Sequence, residues 1–189
     1  MKGTVLACLR EVVIKASDDA TWQACLADAR VAPFTIFSLA EDVPDAQAIA
    51  IVQAVCARLG LSAAQAGDAF GEHWINTYAP RLYKQLFSKY KSSRELFIDI
   101  NNMHDRVMRH VPNAKPPRFR LEWQSPTSLI MHYESHRGLI DIAVGMARAV
   151  GGFYGEALIV TKTSQKSLRV EFGEKETERV IVKREPTRG

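Results

Sequence analysis

The hydrophobic pattern of the sequence changes its period at the proline pair Pro116-Pro117, and this change constrains the fold most. Before the pair, apolar residues recur at steps of three and four, the spacing of helices that are buried on one side. After it, residues 118–123 and 128–133 alternate between polar and apolar side chains, as half-buried strands do. We therefore predict an α+β fold, in which a helical N-terminal part packs on a C-terminal antiparallel sheet with helices.

The same patterns place the individual elements. Helices are predicted over residues 2–16, 19–29, 45–59, 62–78 and 138–151, over a short segment opened by Pro80, and from Ser92 or Ser93 to Pro112. Strands are predicted over residues 118–123, 128–133, 158–163, 167–172 and 179–182. No repeat or Gly/Ser-rich linker interrupts the chain. We expect a single domain over residues 1–189, with a helical subdomain to about residue 60 and a sheet-bearing subdomain from about residue 61.

Composition bounds the partners and the compartment. The 189 residues are 47% hydrophobic, enough for a sizeable core, and a net charge of +4 is too small and dispersed to predict a nucleic-acid or membrane partner. No apolar run approaches the about 20 residues that cross a bilayer. Cys8, Cys25 and Cys56 form no C-x-x-C pair, which argues against disulfides and a thiolate zinc site. We expect a cytoplasmic protein.

His104 alone among the five histidines combines a helical position with an apolar face. Phe97, Ile100 and Met108 lie seven and four residues before it and four after it, so all should share one side of a single helix. An imidazole among aliphatic groups either satisfies one hydrogen bond in the core or binds a metal through a neutral nitrogen, as in heme proteins. The position alone leaves both interpretations open.

A second candidate is the polar run that ends a predicted strand. If the strand continues, Tyr133, Ser135 and Arg137 share one face at steps of about 6.6 Å. Their phenol, hydroxyl and guanidinium are hydrogen-bond donors, and the guanidinium can bind a carboxylate through two bonds. The row would suit a ligand with two carboxylates, such as the propionates of heme. The alternative is a polar strand face in solvent.

Six short motifs in register carry a resemblance that covers essentially the whole chain. They are Met1-Lys2-Gly3-Thr4, Phe70-Gly71, Asn102-Met103-His104, Pro116-Pro117-Arg118, Tyr133-x-Ser135-x-Arg137 and Gly138-Leu139-Ile140-Asp141-Ile142. In this order and at these separations they resemble the heme nitric oxide/oxygen binding family, H-NOX, which includes the sensor domain of soluble guanylate cyclase.

The resemblance implies a heme b (iron protoporphyrin IX) buried between the two subdomains, with His104 as the axial iron ligand. It also implies that Tyr133, Ser135 and Arg137 hold the propionates and that Pro117 presses on the porphyrin and bends it. The residues expected to line the rest of the pocket are Val5, Leu9, Trp74, Ile142 and Met146.

The resemblance further implies a choice of gas. A hydrogen-bond donor beside the iron retains oxygen, whereas nitric oxide binds tightly without one. Relatives that hold oxygen carry a distal tyrosine where this sequence has Ile142. We therefore expect nitric oxide and carbon monoxide to bind and oxygen to be excluded. His73 and Trp74 remain possible N–H donors, and we favour a packing role for Trp74.

For signalling, the resemblance implies that nitric oxide weakens the bond between His104 and iron, so that the porphyrin flattens against Pro117 and the N-terminal helices move. No effector domain follows before Gly189, so we expect signalling in trans to a histidine kinase or a cyclic-di-GMP enzyme.

Two other functions remain as alternatives. No catalytic motif is present, so we do not expect an enzyme. The first alternative is a heme-free module of the same fold that binds an apolar ligand or a protein. The second is a nucleic-acid binder that uses basic residues from Lys162 to Arg184, although four glutamates interleave with them and favour a solvated, mixed-charge face.

Overall fold

The computed structural model of the chain describes residues 1–173. The strand predicted over residues 179–182 lies outside the described residues, as do most of the basic C-terminal side chains. The elements confirm the predicted α+β class, with helices first and a four-stranded antiparallel sheet afterwards.

Eight α-helices form in the described part of the chain. They are α1 Gly3–Ala16, α2 Asp19–Asp28, α3 Asp45–Leu59, α4 Ala63–His73, α5 Ala79–Phe87, α6 Ser93–Ile98, α7 Ile100–His110 and α8 Ile140–Phe153. Local signals set several ends. The Ser62 hydroxyl accepts from the Gln65 amide in a capping box that starts α4, and Gly60 ends α3 in the left-handed conformation that glycine adopts without strain.

The four strands form two hairpins that flank α8 in sequence. They are β1 Arg118–Ser125, β2 Ser128–Glu134, β3 Leu158–Ser164 and β4 Ser167–Phe172, in the spatial order β1-β2-β4-β3. Every neighbouring pair is antiparallel. Consequently β1 is an edge strand, paired with β2 on one side only.

Two predicted helices differ from those observed. The helix predicted over residues 62–78 changes at Trp74–Tyr78 into a π-helical segment before α5 begins. The helix predicted from Ser92 to Pro112 breaks at Asp99 into α6 and α7, so Phe97 and His104 do not lie on one continuous helix, contrary to our expectation. At the break the Asp99 carboxylate accepts hydrogen bonds from the side chains of Tyr90, Asn102 and Arg106.

The core has two parts, which meet at α4, the π-helical segment and α8. One part lies among α1 to α4, and the other lies between the sheet, α6, α7 and α8, with Trp74 and Met146 packed against both. The crossing of α4 and α8 is close because Gly67, Gly71 and Gly145 bring the two backbones into direct contact. In residues 1–173 no single helix is long and apolar enough to span a membrane, although α3 and the helical run Ala63–Gln85, which meet at a bend of 106°, are long and apolar enough when taken together.

Candidate functional site

A cavity of about 600 Å³ opens between the two parts of the core. Its walls are mostly apolar and come from α1, α3 to α8, the π-helical segment and the sheet. The lining residues include Val5, Phe70, Trp74, His104, Pro117, Tyr133, Arg137, Ile142 and Met146. The size and the apolar walls suit a large organic ligand better than a bare ion.

His104 enters the cavity from α7 in a defined tautomer. Its Nδ1 lies 2.8 Å from the carbonyl oxygen of Pro117, and since a carbonyl can only accept, Nδ1 carries the proton. In the described part of the chain the other ring nitrogen, Nε2, has no hydrogen-bond partner. Burial lowers the pKa of His104 to about 4, against a smaller opposing effect of the Pro117 bond. The ring is therefore neutral at pH 7, with a lone pair on Nε2 ready to bind a metal.

The three donors predicted to form one row do not continue a strand. Tyr133 lies in β2, buried with its ring against Phe119, but β2 ends at Glu134. The chain then turns, and the Ser135 hydroxyl accepts a hydrogen bond from the Arg137 amide. The structure thus brings Tyr133 and Arg137 to the cavity lining, whereas Ser135 lies between them in the turn and is not one of the lining residues.

Arg137 is held by an ion pair that joins the turn after β2 to the start of α3. Its Nε donates to Oδ1 of Asp45 on α3 at 2.9 Å, and its Nη1 donates to the carbonyl of Lys115 at 2.6 Å. Burial alone would raise the pKa of Asp45, but hydrogen bonds from the Met1 amino group, Arg137 and His136 hold it well below its usual range. Asp45 is therefore ionised, and the guanidinium already binds one carboxylate beside the cavity.

Four of the five predicted pocket residues line the cavity: Val5, Trp74, Ile142 and Met146. Leu9 does not. It is only 5% exposed and packs among the N-terminal helices, because it lies one turn further along α1 than Val5 and so beyond the end of the helix that lines the cavity. Of the two residues expected on α1, only Val5 lines the cavity.

The two possible N–H donors are now separated. His73 turns away from the cavity, since its Nε2 lies 2.7 Å from a carboxylate oxygen of Glu11. Trp74 remains on the cavity wall, stacked between Phe70 and Tyr78 with ring centroids 5.6 Å apart on each side. The stack packs both faces of the indole ring, and the packing role that we favour for Trp74 stays a prediction.

Sequence reasoning missed two residues that organise the site. Asp45 lies 92 positions from Arg137, and as the first residue of α3 it has the pattern of an ordinary helix-start acid. Asn101 bonds the backbone of Phe119 on β1. No local pattern pairs either residue with its partner.

Lys162, one of the basic residues on which the nucleic-acid alternative rests, forms an ion pair with Asp141.

A family model described as Haem-NO-binding matches residues 2–162, most of the chain. The chain belongs to this family. The match to the family model confirms the resemblance to H-NOX, whose members are heme-based gas sensors. No curated protein sequence matches.

Solved H-NOX structures share the fold at low identity. An H-NOX protein from S. oneidensis in the Fe(II)NO ligation state is 18% identical, with a TM-score of 0.82 over 92% of this chain and 100% of that one. An unliganded Fe(II) H-NOX protein from K. algicida is also 18% identical, with a TM-score of 0.79 over 93% of this chain and 98% of that one. An oxygen-binding H-NOX domain related to soluble guanylate cyclases is 17% identical, with a TM-score of 0.74 over 92% and 96%. At such identities the similarity establishes the fold.

Proposed function

We propose that this H-NOX domain binds heme b through His104 and senses nitric oxide and carbon monoxide while excluding oxygen. One observation carries the proposal: a neutral imidazole lines a large apolar cavity, with Nδ1 bonded to Pro117 and Nε2 without a partner in the described residues. Ferrous heme would supply the iron that binds the gas. A reduced, heme-loaded protein should bind both gases and form no stable oxygen complex in air.

The groups that surround the cavity match the parts of a heme. His104 would hold the iron, and Tyr133, Ser135 and Arg137 would bind the propionates, the charged guanidinium contributing most. Pro117 would contact the ring on the side of His104. Val5, Trp74, Ile142 and Met146 would enclose the apolar remainder, whereas Leu9 stays outside this set because it lies in the helical core.

Arg137→Ala is expected to weaken heme retention by about 10- to 100-fold, since a hydrogen bond to a charged group contributes about 1.5–3 kcal/mol. The measurement is the rate of heme transfer to an excess of a heme-scavenging protein. Arg148→Ala is the matched control, because Arg148 also pairs with a carboxylate, Asp68, and with a backbone carbonyl, but outside the cavity lining. Equal rates for the two variants would remove the proposed role of Arg137.

Ile142→Tyr is expected to convert the domain toward oxygen binding. Ile142 lines the cavity with an apolar side chain that offers no hydrogen bond, and a phenol in its place would donate one to the negatively polarised gas. Oxygen dissociation should slow by about 10- to 100-fold, the effect of about 1.5–3 kcal/mol. Ile142→Phe, which adds the ring without the hydroxyl, should behave as wild type. A stable oxygen complex of the wild-type protein would refute the assignment of gas selectivity.

For signalling, we propose that gas binding changes the contacts of His104 and Arg137 and that this change reaches the protein surface. A histidine kinase or a cyclic-di-GMP enzyme would respond to it in trans. His104 is bonded to Pro117 through Nδ1, so a shift of His104 would carry α7 and the segment before β1 together. Arg137 links that half of the molecule to α3 through Asp45. A displacement of α7 would therefore change how the N-terminal helices lie on the sheet.

A further inference from the structure

The side-chain amide of Asn101 hydrogen-bonds the backbone of the edge strand β1 beside the cavity. Asn101, in the first turn of α7, donates from Nδ2 to the carbonyl oxygen of Phe119 at 2.7 Å and accepts at Oδ1 from the Phe119 amide at 3.0 Å. Phe119 lies on the edge strand β1, where backbone groups lack a neighbouring strand. Asn101 thus takes the place of a strand partner, which only a side chain with both a donor and an acceptor can do.

The next contact between α7 and this segment is made by His104. Asn101 and His104 are three residues apart on one face of α7, and they bond Phe119 and Pro117, which are two residues apart. The two hydrogen-bonded contacts therefore follow each other along α7 and along residues 117–119. Fixing the Phe119 backbone therefore also fixes the Pro117 carbonyl opposite His104 Nδ1.

The neighbouring contacts of Arg118 and Asp99 do not replace the hydrogen bonds between Asn101 and Phe119. Arg118 bonds the Asn101 carbonyl and Asp105, but both partners of that ion pair are about 40% exposed, at 42% and 38%, where such pairs contribute little. Asp99 ties the start of α7 to Tyr90 and Arg106, on the α5–α6 side rather than on β1. Asn101 alone among these holds the backbone of β1 itself.

We propose that Asn101 is a positioning residue for the axial ligand, an inference that rests on the proposed function of His104. By holding the Pro117 carbonyl within hydrogen-bond distance of Nδ1–H, Asn101 sets the orientation of the imidazole and the basicity of Nε2. A partner on the far nitrogen of a metal-binding histidine fixes the tautomer and strengthens the ligand, and its loss costs about 10- to 100-fold in affinity.

The test compares Asn101→Ala and Asn101→Asp with the control Asn102→Ala. The Asn102 side chain is exposed and bonds only Asp99, away from β1. Two quantities are measured: the iron–histidine stretching frequency of the ferrous protein, by resonance Raman spectroscopy, and hydrogen exchange of the Phe119 amide in the protein as purified.

Asn101→Ala should lower the stretching frequency, accelerate exchange at Phe119, and release heme about 10-fold faster or more. Asn101→Asp keeps the acceptor for the Phe119 amide but loses the donor, so its frequency should fall between those of wild type and Asn101→Ala. Asn102→Ala should match wild type in both measurements.

Different failures are distinguishable. If exchange accelerates in Asn101→Ala but the stretching frequency stays at the wild-type value in both Asn101 variants, Asn101 only supports the fold and the proposal is wrong. If hydrogen exchange of the Phe119 amide is unchanged in Asn101→Ala, the hydrogen bonds between Asn101 and Phe119 do not form and the proposal is wrong. A wild-type protein that takes up no heme would overturn the proposed function itself, and this inference with it.

Discussion

His104→Gly is expected to lose the ferrous spectrum of a histidine-ligated heme, and added imidazole should restore it. The substitution removes the one imidazole that lines the cavity among residues 1–173, while the apolar walls and Arg137 remain to hold the macrocycle. Free imidazole fits the space left by the side chain and offers the same nitrogen. The measurement is the absorption spectrum of the reduced protein before and after addition of imidazole.

His110→Gly is the control for this variant. His110 lies on the same helix, six residues further on, and is exposed. Its loss leaves the cavity lining unchanged, so the ferrous spectrum of this variant should equal that of wild type. An unchanged spectrum in His104→Gly would mean that another residue binds the iron.

Gly145→Ala is expected to lower the free energy of unfolding by about 3 kcal/mol or more. A Cβ at this position on α8 would overlap the backbone carbonyl of Gly67 on α4, and backbone cannot move aside as a flexible side chain can. The two helices would have to separate, and since α4 leads into Trp74 and α8 carries Ile142, the cavity walls would separate with them. Urea unfolding followed by circular dichroism measures the loss.

The same helix supplies the matched control. Gly152 also lies in α8, but a Cβ there meets nothing within 4 Å. Gly152→Ala should therefore leave stability unchanged or raise it by up to about 1 kcal/mol, because alanine favours the helix and restricts the unfolded chain. Equal stabilities of the two variants would show that α4 and α8 are not in the close contact described here.

Periodicity predicted those elements whose burial is one-sided. The four described strands and the first three helices alternate or repeat so clearly that each is close to its predicted bounds. The break at Asp99 escaped prediction because the apolar spacing continues through it, and no local pattern shows that Tyr90 and Arg106 contact the Asp99 carboxylate there. The π-helical segment at Trp74–Tyr78 has the same apolar pattern as an α-helix.

The candidate site was predictable to the extent that it follows local motifs. His104, Pro117 and Arg137 belong to motifs that carry the family resemblance, and all three line the cavity. Pairing across the fold was not predictable: nothing near Arg137 in sequence indicates Asp45, and Leu9 shares a face of α1 with Val5 but lies one turn further from the cavity. Such contacts are set by how the helices pack, which one sequence pattern does not encode.

The most direct test of the central claim is a titration of the heme-free, reduced protein with heme, followed by absorption spectroscopy. The cavity and His104 predict saturation at one heme per chain, with the spectrum of a ferrous heme bound by one histidine. Uptake that does not saturate, or a saturated spectrum without histidine ligation, would contradict the assignment of this cavity as a gas-sensing heme site.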